Sequence, residues 1–192
     1  MTFFYDKNSH FNLANIITFF NISSGVMAIY FITHCEFLGA TLFAWASGAF
    51  DILDGKVARK YNLSTAFGIQ LDSYADFLSF VIVPVMFIYF AIIDGSELII
   101  NGFLVFFVFT YYIISGLRRL ISFNINSTQG EVEKYFIGVP TPLGAILLWI
   151  VYLLWHFGFV PVLFGMPTLY LVLGFVTIIG WSLNSKMKIP HL

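Results

Sequence analysis

Between residues 51 and 76 the chain reads DILDGKVARKYNLSTAFGIQLDSYAD, with aspartates at 51, 54, 72 and 76 set among small residues and next to Lys56, Arg59 and Lys60. At about 100° per residue, Asp51, Asp54, Gly55 and Ala58 share a ~100° sector of one helix, and Gly68, Asp72 and Asp76 share a comparable sector of a second. Two helices can therefore aim four carboxylates at one place. An aspartate at the centre of a bilayer helix costs about 2.5–3.5 kcal/mol and less toward the interface, so convergence of this kind calls for compensating positive charge. A pair of divalent cations is the simplest source, and carboxylate oxygens suit Mg²⁺ and Mn²⁺ alike. Intramembrane acids also serve transporters and proton relays, and a cation-dependent transporter is the alternative of a different class.

The elements that must carry these residues are membrane helices. Hydrophobic residues make up 59% of the 192, aromatic residues 20% and charged residues only 10%, with a mean hydropathy of +0.90. Soluble domains carry about 25% charged residues. Apolar runs occupy residues 13–33, 37–53, 69–93, 98–117, 139–160 and 166–183. Each is near the length that crosses a ~30 Å hydrocarbon core as a helix. The expectation is an all-α integral membrane protein of six transmembrane helices forming one domain over residues 1–192. The helix that begins at residue 37 is expected to run past Asp51 toward the interface. Pro84, inside the third run, is expected to kink it and free a carbonyl. Asp94, Gly95, Ser96 and Glu97 punctuate one turn, and Gly165, Met166 and Pro167 another. Residues 1–12, aromatic on a mildly polar background, suit an interfacial segment before the first span.

Cations settle the expected orientation. Lys7 precedes the first run; Lys56, Arg59 and Lys60 follow the second; Arg118, Arg119 and Lys134 follow the fourth; Lys186 and Lys188 follow the sixth. The other three connections carry only Glu36, Asp94 and Glu97. By the positive-inside rule both termini and the aspartates face the cytoplasm, which places the protein in the cytoplasmic membrane. The first run is long enough to span, and no A-x-A-like site follows it, so a cleaved signal peptide is not expected. The single Cys35 excludes an intramolecular disulfide framework. Histidines 10, 34, 156 and 191 are scattered without ligand spacing. No nucleic-acid partner is expected.

The pattern Asp51-x-x-Asp54-Gly55-x-x-Ala58-Arg59, then eight residues, then Gly68-x-x-x-Asp72-x-x-x-Asp76 resembles the signature of the CDP-alcohol phosphotransferase family at every one of its positions. The resemblance implies transfer of a phosphatidyl-type group from a CDP-linked lipid to an alcohol, with CMP released and two divalent ions bound. It also suggests a homodimer. Such a reaction needs phosphate charge neutralised, a hydroxyl aligned and its proton removed. Two ions about 3.5–4 Å apart meet the first need. Asp51, Asp54 and Asp72 would chiefly be metal ligands. Asp76, by the resemblance, would take the hydroxyl proton while also touching the second ion. Gly55, Ala58 and Gly68 leave room for cytidine and ribose, and Arg59 offers a planar fork of donors to phosphate. Lys56 and Lys60 read as cations snorkelling at the membrane edge.

Other stretches resemble the phosphatidylserine synthase branch of that family. They are Asn15-x-x-Thr18-x-x-Asn21-x-x-x-Gly25, the run from Phe67 to Pro84, and Gly138-Val139-Pro140-Thr141-Pro142. The implied substrates are CDP-diacylglycerol and L-serine; other CDP-alcohol transfers, to glycerol 3-phosphate, inositol, choline or an archaeal-type lipid, are the close alternative. Thr18 and Asn21 could bond nucleotide or diphosphate, or simply join helices. Thr141 would shape the acceptor pocket. Serine's carboxylate needs a cation, and Arg119 is the leading one. Leu117 to Asn124 departs from the branch pattern at Ser122, where a second arginine is usual; Arg118 or Lys134 would compensate. Arg118 and Arg119 also fit the orientation rule alone.

Overall fold

The structure, a computed structural model, describes residues 3–5, 9–93, 98–128, 135–159, 168–185 and 188–190. The turns assigned to residues 94–97 and 165–167, and Lys7, Lys134 and Lys186, lie outside the described residues. The chain folds as two compact units, residues Met1–Val83 and Pro84–Leu192.

In the first unit a helical turn at Phe3–Tyr5 precedes α1 (Leu13–Thr33), α2 (Phe37–Lys60) and α3 (Ala66–Asp76), and α3 passes into a π-helical segment at Phe77–Ile82. Helix α1 starts at Asn12, whose Oδ1 accepts the Asn15 N–H at 3.0 Å as an N-cap. It stops at Cys35 with φ 59°, where Glu36 N–H bonds Phe31 O and Cys35 N–H bonds Ile32 O. That is a Schellman ending. The polar stripe of α1, Asn15, Thr18, Asn21 and Ser24, lies on its buried side. Helix α2 packs along that side and continues for 24 residues, past Asp51 to Lys60, as the sequence predicts.

The turn between α2 and α3 fixes where the two aspartate pairs meet. Asn62 takes φ 53°, a region asparagine tolerates, while Leu63 N–H bonds Ala58 O and Asn62 N–H bonds Arg59 O to end α2. Leu63 is buried, and its carbonyl accepts from Asn12 Nδ2 at 3.3 Å. Asn12 therefore caps α1 with its oxygen and pins the turn with its nitrogen. Thr65 then caps α3, its Oγ1 accepting the Gly68 N–H at 3.0 Å.

The expected disturbance at Pro84 takes the form of a widened helix. Val83 N–H bonds Leu78 O, five residues back, just before the proline that has no N–H to offer. In the second unit, α4 (Val83–Ile88, beginning one residue before the unit boundary) leads into a second π-helical segment at Tyr89–Ile93; α5 (Leu98–Thr128), α6 (Thr141–His156) and α7 (Thr168–Leu183) follow. Two short strands, β1 (Tyr135–Ile137) and β2 (Lys188–Pro190), pair antiparallel with Phe136 opposite Ile189. The protein is thus almost wholly helical rather than strictly all-α. Sequence reading could not show the strands because each is only three residues long. Among the described residues, three helical stretches are long and apolar enough to cross a membrane: Leu13–Thr33, Ala66–Ile93 and Gly102–Ile125. Thr141–His156 and Thr168–Leu183 are apolar but shorter.

Candidate active site

Within the first unit, α2 and α3 bring carboxylates together from opposite ends of the 51–76 run. One oxygen each of Asp51, Asp72 and Asp76 lies within 4.8 Å of the others. Two oxygens sharing a Mg²⁺ stand at most ~4.2 Å apart, twice a bond of about 2.1 Å, so only a small side-chain adjustment separates this cluster from a binding geometry. Asp76 Oδ1 is buried and has no hydrogen-bond partner. Buried polar atoms are rarely left so, and an unsatisfied carboxylate oxygen among two further carboxylates fits a cation. The donor set is all oxygen, which suits Mg²⁺ or Mn²⁺.

Asp54 stands outside that trio. It is buried, and its Oδ2 accepts from Thr18 Oγ1 at 2.7 Å. It lines a cavity of about 180 Å³ together with Thr18, Gly55, Ala58, Arg59, Gly68 and Asp72. Six residues of the aspartate-glycine signature therefore face one hollow, and the carboxylate trio adjoins it through Asp72. Of the two glycines, Gly68 has a steric reason to be there. A Cβ on Gly68 would fall 2.8 Å from Asn15 Oδ1 and 3.3 Å from Thr65 Oγ1. A Cβ on Gly55 would meet only the Arg59 guanidinium, at 3.5 Å. Lys56, Arg59 and Lys60 are exposed, with Lys60 Nζ 5.5 Å from the Tyr61 ring centroid.

Asn21 has a different place from Thr18. It is fully buried, and Asp54's cavity is not lined by it. Its Nδ2 faces Asp51 Oδ1 at 3.5 Å, and its Oδ1 receives the hydroxyls of Ser47 at 2.5 Å and Ser79 at 2.8 Å. Sequence reading gives Ser47 no part and includes Ser79 only as one position of the Phe67–Pro84 resemblance, without a role. It also gave no role to Ser64 and Thr65, which line the cavity. Their signal was available: a Ser-Thr pair directly before a helix that opens with a small residue is an N-cap pattern.

The residues assigned to the acceptor belong to the second unit. Arg119 Nε, on α5, donates to Val139 O at 3.2 Å, and Val139 N–H bonds Ser182 O. Gly138 has φ +83°, and a Cβ there would lie 2.7 Å from Leu183 O and 2.9 Å from Ser185 O, so only glycine fits. Thr141 is buried at the first turn of α6, where Pro142 needs no N–H partner. The segment Gly138–Thr141 is thus clamped between α5 and the end of α7, with Arg119 as one jaw. Arg118 and Ser122 are exposed on α5.

The profile described as CDP-alcohol phosphatidyltransferase matches residues 11–181. The chain is similar to the CDP-diacylglycerol–serine O-phosphatidyltransferase of Helicobacter pylori strain J99, 33% identical over 180 residues that cover 92% of this chain and 71% of that protein. It is 30% identical over 176 residues to the Bacillus subtilis protein of the same name, covering 92% and 88%. The Methanocaldococcus jannaschii protein so named is 33% identical over 136 residues, covering 71% and 58%.

Proposed function

The chain belongs to the CDP-alcohol phosphatidyltransferase family, and from that premise we propose that it is a membrane enzyme transferring the phosphatidyl group of CDP-diacylglycerol to the hydroxyl of L-serine. The observation that carries this reading is the meeting of Asp51, Asp72 and Asp76 beside a cavity walled by the rest of the signature. Asp51, Asp54, Asp72 and Asp76 would hold two divalent ions, Mg²⁺ or Mn²⁺. Ions bound there supply charge neutralisation for the pyrophosphate and its leaving oxygen.

The chain's own residues do the remainder. Gly55, Ala58 and Gly68 keep the cavity open for the nucleotide, Arg59 meets phosphate oxygen, and Thr18 holds Asp54 in orientation. Asp76 removes the proton of serine's hydroxyl. That oxygen forms a bond to the phosphorus next to the diacylglycerol, and the phosphorus–oxygen bond to CMP breaks, its electron pair leaving with CMP. Asp76 Oδ1, buried with no hydrogen-bond partner, leaves a carboxylate oxygen for that proton. A guanidinium suits serine's carboxylate, and the resemblance gives that part to Arg119 and the shaping of the acceptor pocket to Thr141.

The protein crosses the cytoplasmic membrane six times with both termini in the cytoplasm, a layout supported by the cation distribution. The active site then opens toward the cytoplasm, the lipid tails lie in the bilayer, and the chain works as a homodimer built from one catalytic domain per copy. The test is purified protein with Mg²⁺ or Mn²⁺ and CDP-diacylglycerol, offered serine, glycerol 3-phosphate, inositol or choline in turn. CMP and phosphatidylserine should appear with serine. Absence of CMP with every alcohol overturns the enzymatic reading, and CMP only with another alcohol overturns the choice of serine.

A further inference from the structure

Ser47, Ser79 and Asn21 meet where three helical segments cross, and none of them is needed to line the cavity. Ser47 and Asn21 are fully buried and Ser79 is 5% exposed. Ser47 comes from α2, one turn before Asp51; Ser79 comes from the π-helical segment, three residues after Asp76; Asn21 comes from α1. The two serine Oγ atoms are 2.6 Å apart, and each lies within hydrogen-bond distance of Asn21 Oδ1. The Asn21 backbone carbonyl is 3.1 Å from Ser47 Oγ.

Hydroxyl chemistry gives this cluster a direction. Each serine has one proton to donate, and the groups in reach are the amide oxygen, the Asn21 carbonyl and the other hydroxyl. In every arrangement of those protons but one, in which Ser79 donates to Ser47 and Ser47 to the Asn21 carbonyl, a hydroxyl donates to Asn21 Oδ1. The Asp51 carboxylate on the other side decides the orientation with them: the amide shows its oxygen to the serines and its NH₂ to Asp51 Oδ1. Reversing it would set Nδ2 against hydroxyl protons and Oδ1 against a carboxylate. The contact to Asp51 is long, 3.5 Å, and so depends on the amide being held from behind. The backbone is shaped for the meeting as well. Gly25, one turn beyond Asn21, lets the π segment approach α1: a Cβ there would sit 3.1 Å from Leu78 Cδ2 and 3.4 Å from Ser79 Oγ.

We propose that Ser47 and Ser79 are positioning residues for the metal site, acting through the Asn21 amide to fix the Asp51 carboxylate. The proposal rests on the metal-dependent reading above. It assigns to the serines a function in cation affinity rather than in helix adhesion alone. Groups standing behind metal ligands commonly change affinity or activity by about 10- to 100-fold when removed.

The experiment measures Mn²⁺ binding to the full-length protein in nanodiscs, without either substrate, by loss of the free-ion EPR signal. Ser47→Ala and Ser79→Ala are each expected to raise the Mn²⁺ dissociation constant by a few fold, and the double variant by ~10-fold or more. Ser23→Ala is the control: Ser23 is exposed on the same helix and donates to Phe19 O at 2.8 Å. It should bind Mn²⁺ like the parent. Unchanged Mn²⁺ affinity in the folded double variant, even with lowered thermal stability, overturns the proposal and leaves a packing role. If the double variant fails to fold, the two single variants decide by the same criterion. A parent protein that binds no Mn²⁺ overturns the metal reading itself, an outcome distinct from binding that the serines do not affect.

Discussion

Replacing Thr18 by valine tests whether α1 takes part in the chemistry. Valine keeps the β-branched shape in a helix and removes only the hydroxyl that donates to Asp54 Oδ2 at 2.7 Å. Thr18 Oγ1 also lies 3.2 Å from Ala14 O, but its single proton favours the shorter bond to a carboxylate. Asp54 is 3% exposed, so water cannot readily replace the lost donor. A hydrogen bond to a charged group is worth about 1.5–3 kcal/mol, which corresponds to roughly 10- to 150-fold in an equilibrium constant. Because Asp54 and Thr18 both line the cavity, the loss should fall on the nucleotide lipid and the metal. The assay follows CMP release in nanodiscs while Mg²⁺, CDP-diacylglycerol and serine are varied one at a time. Half-saturating Mg²⁺ or CDP-diacylglycerol should rise by about 10-fold or more, with the serine KM nearly constant. A change below about twofold in both, or a shift confined to serine, would refute the reasoning and leave Thr18 as a contact between helices.

Asp76→Asn removes the proposed base while nearly preserving volume; turnover should vanish while CDP-diacylglycerol still binds, and measurable turnover in rapid-quench assays would remove Asp76 from that role. Gly68→Ala sets a methyl 2.8 Å from Asn15 Oδ1, so kcat/KM for CDP-diacylglycerol should fall by ~10-fold, the equivalent of about 1.4 kcal/mol. A parent-like value would mean that the Asn15 amide moves aside freely. Arg119→Ala should raise the serine KM far more than that for CDP-diacylglycerol; equal effects on both, with a lowered melting temperature, would assign Arg119 to structural contacts such as that with Val139.

The helices were legible because apolar length and the aspartate spacing are local properties. Residues 13–33 read as one run and form α1 at Leu13–Thr33, and the sector shared by Asp51, Asp54, Gly55 and Ala58 requires only that α2 continue beyond its apolar part. Several things were not legible because they depend on three elements meeting. Ser47 is unremarkable in a row of apolar residues and Ser79 matches the branch pattern without a role attached; only the crossing of α1, α2 and the π segment gives them Asn21 as a partner. The partition of the aspartates is of the same kind. Periodicity places Asp51 and Asp54 on one face, yet Thr18 draws Asp54 toward the cavity while Asp51 remains with Asp72 and Asp76. Gly138 was legible as part of a motif, whereas its reason, the Leu183 and Ser185 carbonyls, lies 45 and 47 residues away.

Four carboxylates inserted between apolar helices are tolerable only if each finds a favourable partner, and the partners found here are unequal. Thr18 satisfies Asp54 with a short bond, and Asn21 reaches Asp51 with a long one. Asp76 Oδ1 has none. Donors thin out from the cavity wall toward the carboxylate trio, which under the proposed function leaves the metal side to be completed by what binds. Filling the deficit from within, for instance by a donor replacing Ser79 that reached Asp76, would stabilise the resting fold and oppose cation binding and proton removal together. Under the proposed function the unpartnered Asp76 Oδ1 is part of the cation site, while Thr18 and Asn21 of the buried α1 stripe serve Asp54 and Asp51.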